Sequence, residues 1–123
     1  MYSATVSSQW LYYFKDQTIF IKKLNQSIKR STTVRLFPID FGWNQIDRWK
    51  DFFPDLIYDL GGVSIQKHFG STKLFISSYN ATTFLESFRL DIPTVIFWDP
   101  YYWEIRDSAK SIFEELKKVK IFH

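Results

Sequence analysis

The chain predicts an α/β fold, a Rossmann-like three-layer domain with a mostly parallel sheet. Three observations carry the prediction. Short apolar and β-branched runs alternate strictly with segments of helical period. The connections between them are short, and the chain has no linker, repeat or low-complexity run. Runs such as Thr94–Trp98 are apolar on both faces, as strands covered on two sides require.

Gln9 to Ile28 carries Trp10, Tyr13, Phe14, Phe20, Ile21, Leu24 and Ile28 at helical spacing, giving one long helix or two consecutive ones. Thr33 to Phe37 is β-branched and apolar and stops at Pro38, so it reads as a strand. Ile39 to Trp43 is a loop in which Gly42 is free to take positive φ. Asn44 is the expected N-cap of a helix from Gln45 to Phe53, closed before Pro54. Leu56 to Leu60 is a short strand broken by Gly61-Gly62. Val63 to Phe69 is a weak helix ended by Gly70. Lys73 to Ser77 is a buried strand, and Thr82 to Leu90 a helix with Phe84, Leu85 and Phe88 inward. Thr94 to Trp98 is the next strand. Tyr102 to Val119 is a terminal helix with Ile105, Ala109, Ile112, Phe113 and Leu116 at helical spacing, and Lys120 to Phe122 a last strand.

The length of 123 residues suits one domain, 1–123, with its own core. Aromatic residues make up 20% of the chain, enough that some rings are expected to cover a surface meant for a partner. The absence of cysteine excludes disulfides and thiolate metal sites, and two histidines are too few for a zinc centre, so no metal is expected. A net charge of +3 suits an anionic small molecule but is too mild and scattered for nucleic acid. No segment is apolar over the ~20 residues a membrane span needs. The first and last residues fall inside an expected helix and strand, which suggests a piece of a longer protein.

The stretch from Lys73 to Pro93 is the richest in chemistry. A strand-to-helix junction in an open α/β sheet is where a phosphate or sugar sits. Here it reads Tyr79-Asn80-Ala81-Thr82-Thr83. Thr82 and Thr83 offer hydroxyls beside free amides, Ala81 lets a ligand approach, and Glu86 projects near the same end, able to accept from a ribose diol. The alternative is a capping box in which Thr83 caps the helix and Glu86 returns a bond. Arg35 sits in a strand, where it either clamps a phosphate or pairs with Asp40 or Asp47. Trp43 either stacks on a base or sugar or belongs to the packing. His68 is either a general base or phosphate partner, or structural. Asp99, Tyr101, Tyr102 and Trp103 follow a strand's carboxyl end and either wall the same rim or cap the terminal helix. Asp40-Phe41-Gly42 matches a kinase magnesium motif by letters only, since neither a glycine-rich loop nor a catalytic-loop sequence accompanies it.

The segments VRLFPIDFGWNQIDRW, KLFISSYNATTFLESFRLDIPTVIFWDPYYWEIRDSA and FEELKKVKIFH resemble transferases of bacterial surface-polysaccharide gene clusters of the leptospiral type. The resemblance runs from about Trp10 to His123 and implies the C-terminal half of a two-domain glycosyltransferase of the GT-B architecture. More distantly, the pattern is similar to the CDP-glycerol glycerophosphotransferases. Arg35 and Pro38 fit their strand end, and Ser77 to Thr83 fits their hydroxyl-rich loop. This chain departs from that group at Ser78-Tyr79-Asn80, which lacks an Asp before the Tyr, and at Phe37, where that group often has His.

The resemblance implies donor-nucleotide binding by Arg35, Thr82, Thr83 and Glu86, with Glu86 on the ribose and the others on the donor phosphate, where Ala81 joins them from its small size. Trp43, His68, Tyr79, Asn80 and Asp99 stand as further candidates for sugar or base contacts. A nucleotide-activated donor is then the substrate, with no other cofactor. The partner is the N-terminal domain of the same protein, which would hold the acceptor and the catalytic base. The expected location is the cytoplasm, at the inner face of the membrane, with peripheral association of the parent protein. Two rival readings are a nucleotide-sugar epimerase or hydrolase on the same scaffold, and a non-catalytic interaction domain.

Overall fold

The computed structural model describes residues 7–123. They fall into two compact units, 7–64 and 65–123. In the N-terminal unit, α1 (Ser7–Lys23) buries Trp10, Phe14, Thr18 and Ile21, spaced four, four and three residues apart on one stripe. Asn25 then starts a new helix, α2 (Gln26–Arg30), by accepting the Ile28 amide at 2.9 Å through Oδ1. The long segment is therefore two helices, and Ile28, off the stripe, is exposed.

The strand β1 (Thr33–Arg35) pairs in parallel with β2 (Ile57–Asp59), with Arg35 opposite Asp59. Between them, α3 (Gln45–Phe52) packs Trp49 into a core with Trp10, Phe14, Ile21 and Leu36. Trp10 lies flat on Phe14 with centroids 5.1 Å apart, and Phe14 meets Trp49 edge-on at 5.4 Å. Asn44 does not cap α3. It sits in the left-handed region at φ 50° with no side-chain bond, and the Asp40 carboxylate takes the amides of Trp43, Asn44 and Gln45 instead. An acidic group there also opposes the positive helix end. At the other end of α3, the Tyr58 hydroxyl donates to the carbonyls of Phe53 (2.6 Å) and Trp49 (3.1 Å).

In the C-terminal unit, α4 (Ile65–Phe69) leads to β3 (Phe75–Ser77), α5 (Thr83–Arg89), β4 (Thr94–Ile96) and α6 (Asp107–Lys118). Gly70 does not close α4 with a positive φ. The turn is tied by Ser71 and Thr72, whose hydroxyls both donate to the His68 carbonyl. β3 and β4 pair in parallel across α5, and Phe122 adds a parallel bridge to Ile96. The core gathers Phe84, Ile96, Trp98, Phe113 and Phe122. Leu85, expected inward, is exposed, as is Ile112 of the helical pattern in α6. The buried face of α5 is Phe84 and Ser87, three residues apart, with Phe88 beside them, and Leu85 lies about 100° around the helix from Phe84. α6 begins at Asp107 rather than Tyr102 because an Asp99-centred turn holds the amides of Tyr101 and Tyr102 first.

The alternation of elements and the parallel sense of the strands make the chain α/β. The described strands form two separate two-stranded pairs, not the continuous three-layer sheet that the alternation predicted. Each strand is only three residues long, and the last expected strand is reduced to a single bridge.

Candidate functional site

Two loops leave the carboxyl ends of β3 and β4, residues 78–82 and 97–106. Parallel pairing puts both on the same edge of the pair, where ligands bind in open α/β sheets. They meet there. The Tyr79 ring lies 6.0 Å from Trp103, and Asn80 Nδ2 donates to the Glu104 carbonyl at 3.5 Å. The buried Ser77 hydroxyl donates to the Tyr79 carbonyl at 3.1 Å, which also accepts the Ala81 amide at 3.1 Å, so the first loop is tightly folded.

The first loop runs directly into α5. Thr82 is the N-cap residue but has helical dihedrals, φ −65° and ψ −17°, and its side chain makes no capping bond. The capping box of Thr83 and Glu86 does not form. Glu86 instead accepts a 2.6 Å hydrogen bond from Gln66 Nε2 of α4. The amides of Thr83 and Phe84 donate to no backbone carbonyl among the described residues. Thr82 is exposed, while Thr83, Ala81, Asn80, Tyr79 and Glu86 are half-buried. Asp99 is exposed, and its Oδ1 accepts the Tyr101 amide at 2.8 Å. His68 lies half-buried in α4.

Arg35 and Trp43 have their partners inside the N-terminal unit. Arg35 Nη1 pairs with Asp59, and Nη2 donates to the Val63 carbonyl at 2.7 Å. The ion pair is with Asp59, not with Asp40, which caps α3, or with Asp47. Asp59 Oδ1 also accepts the Gly61 amide at 2.9 Å. Gly61 has φ +78°, and a Cβ there would stand 2.9 Å from Pro38 Cβ, so only glycine fits the loop after β2 without strain. Trp43 is half-buried, its ring 5.4 Å from Trp10, so one face belongs to the core.

The C-terminal unit thus brings Tyr79, Asn80, Ala81, Thr82, Thr83 and Glu86 into one loop and helix start beside Trp103 and Glu104. Such an arrangement offers amide and hydroxyl donors to an anion, a carboxylate to hydroxyl groups and aromatic faces to a ring. Gln66 was missed from the sequence. It reaches Glu86 from 20 residues away, and no local pattern marks that distance. Among the described residues, no three or more His, Cys, Asp or Glu side chains gather as a metal site, and no helix is long and apolar enough to cross a membrane.

Residues 1–123 match one family model, described as LIC12162 family transferase. No curated protein and no solved structure matches the chain.

Proposed function

The chain belongs to the LIC12162 family of transferases, and from that premise we propose that it is the donor-binding part of an enzyme that moves a glycosyl or related group from a nucleotide-activated donor. In this reading the acceptor is a growing surface polysaccharide, and the scaffold is a Rossmann-like half of a GT-B-type pair. The missing half supplies the acceptor site and the base, and the whole enzyme works at the inner face of the membrane. The observation that carries the reading is the meeting of the two loops on the carboxyl edge of β3 and β4, the first of which runs into α5 at Thr82 and Thr83 with Glu86 one turn on.

The proposed roles follow from the donors and acceptors at that edge. The amides of Thr83 and Phe84 and the threonine hydroxyls hold the oxygens of the donor diphosphate. They stabilise the negative charge that grows on it as the bond to the transferred group breaks. Ala81 leaves room for the diphosphate. Glu86 accepts from the ribose hydroxyls. Tyr79, Asn80 and Asp99 face the sugar or base, with His68 on the neighbouring helix as a further candidate. Arg35 is committed to Asp59 and the Val63 carbonyl, and the proposal does not depend on it.

Isothermal calorimetry with ADP, CDP, GDP and UDP tests the reading. At least one should bind, and Thr83→Ala combined with Glu86→Ala should weaken it by about 2 kcal/mol, roughly 30-fold. Unchanged affinity in the double variant would remove the site. A second reading, a non-catalytic interaction domain, draws on the exposed Leu11, Tyr12 and Tyr101. Concentration-dependent association in sedimentation, with no response to any of the four nucleotides, would favour it.

A further inference from the structure

We propose that Gln66 is a positioning residue that sets the preference for ribose over deoxyribose at this site, by holding the Glu86 carboxylate. The inference rests on the reading of Glu86 as the ribose partner and adds a residue to it. Gln66 Nε2 donates to Glu86 Oε2 at 2.6 Å, across the packing of α4 on α5. The bond is exposed and joins residues 20 apart on two helices, so it ties the carboxylate to α4 and not merely within its own helix.

The chemistry favours positioning over neutralisation. A carboxylate has about four lone-pair sites, and a neutral amide occupies one of them without removing the charge. Oε1 and the second lone pair of Oε2 stay open for two neighbouring hydroxyls. A glutamate side chain left to itself spreads over many rotamers and loses entropy when a ligand orders it. Held by Gln66, it meets a diol already aligned, and a sugar lacking one hydroxyl leaves one oxygen of an aligned acceptor without its partner. Lys or Arg in place of Gln66 would pair with the carboxylate and also hold it. Glu in its place would repel it.

The test is a ratio of affinities for the 123-residue chain. Each of ADP, CDP, GDP and UDP is titrated against its 2′-deoxy counterpart. The unaltered chain should prefer the ribose form by about tenfold for its best nucleotide, the equivalent of one charge-assisted hydrogen bond. In Gln66→Met, which keeps length and helix propensity but has no donor, the preference should drop to about threefold or less. Gln66→Lys, which restores a donor, should recover most of it. A change in fold alone would weaken both nucleotides equally and leave the ratio intact, which would overturn the proposal. An unchanged ratio at unchanged affinity would overturn it too, while leaving the donor reading in place. Failure of the unaltered chain to bind any of the four nucleotides would overturn both. Should Gln66→Met fail to fold, Gln66→Ala reads the same ratio with the same outcomes.

Discussion

Arg35→Met should destabilise the N-terminal unit by about 2 kcal/mol, and the magnitude follows from what the guanidinium leaves behind. Asp59 is 15% exposed and Arg35 28%, so the pair is largely but not wholly desolvated. Removing one member of a fully buried pair costs about 3–5 kcal/mol, and partial exposure lets water take back a share of that. Asp59 keeps the Gly61 amide but loses the guanidinium, and the Val63 carbonyl loses its 2.7 Å donor. Methionine preserves the aliphatic stem, so the loss reports the charge and its hydrogen bonds. With a urea slope of about 1.5 kcal/mol/M, the midpoint should fall by roughly 1.3 M. Tryptophan fluorescence reads it, since Trp10 and Trp49 lie in that unit's core and Trp43 packs on it. Asp59→Asn supplies the second edge of a double-mutant cycle, with a coupling of about 1–2 kcal/mol expected. A cost below about 0.5 kcal/mol with no coupling, outside the additivity error, would refute the structural assignment of Arg35.

Two further stability predictions concern single hydroxyls. Ser87 is fully buried, bonded to the Phe84 carbonyl at 2.7 Å and to Thr94 Oγ1 at 2.8 Å. Ser87→Ala should cost about 1–2 kcal/mol in thermal or urea unfolding of the C-terminal unit, less than an orphaned donor would, because Thr94 still donates to the Ile92 carbonyl. Burial pushes the Tyr58 phenol above its ordinary value. The folded state then favours the protonated form. That contribution is fully present below pH 10, the ordinary value, and is lost as pH rises through the higher folded value. Urea midpoints from pH 9 upward should therefore fall more steeply in the unaltered chain than in Tyr58→Phe, and parallel curves would contradict it.

Much of this architecture was legible in the residues because it depends on local pattern. The apolar spacing of Trp10, Phe14 and Ile21 marks α1, and the β-branched runs at Thr33 and Thr94 mark parallel strands. Single-residue roles were harder where a distant group competes. Asn44 has the composition of a cap, but it sits in the left-handed region, and the Asp40 carboxylate, four residues earlier, takes the amides leading into α3, Asn44's own among them, with a full charge. Arg35 was expected either to clamp a phosphate or to meet Asp40 or Asp47, near in sequence. Its partner Asp59 is set by strand register, which pairs residues 24 apart. Thr82-Thr83-x-x-Glu86 carries the letters of a capping box, yet Gln66 draws Glu86 away from that role. At the candidate site, the hydroxyls and the carboxylate were readable as residue types, while the approach of Trp103 and Glu104 to Tyr79 and Asn80 follows from β3 and β4 lying side by side.

The most direct measurement is an amide NMR titration of the chain with the four ribonucleoside diphosphates at millimolar concentration. Binding at the carboxyl edge of β3 and β4 predicts that the largest shift changes cluster at residues 79–86, with a second group at 99–104. Shift changes scattered over the chain, or none in 79–86, would contradict a donor site there.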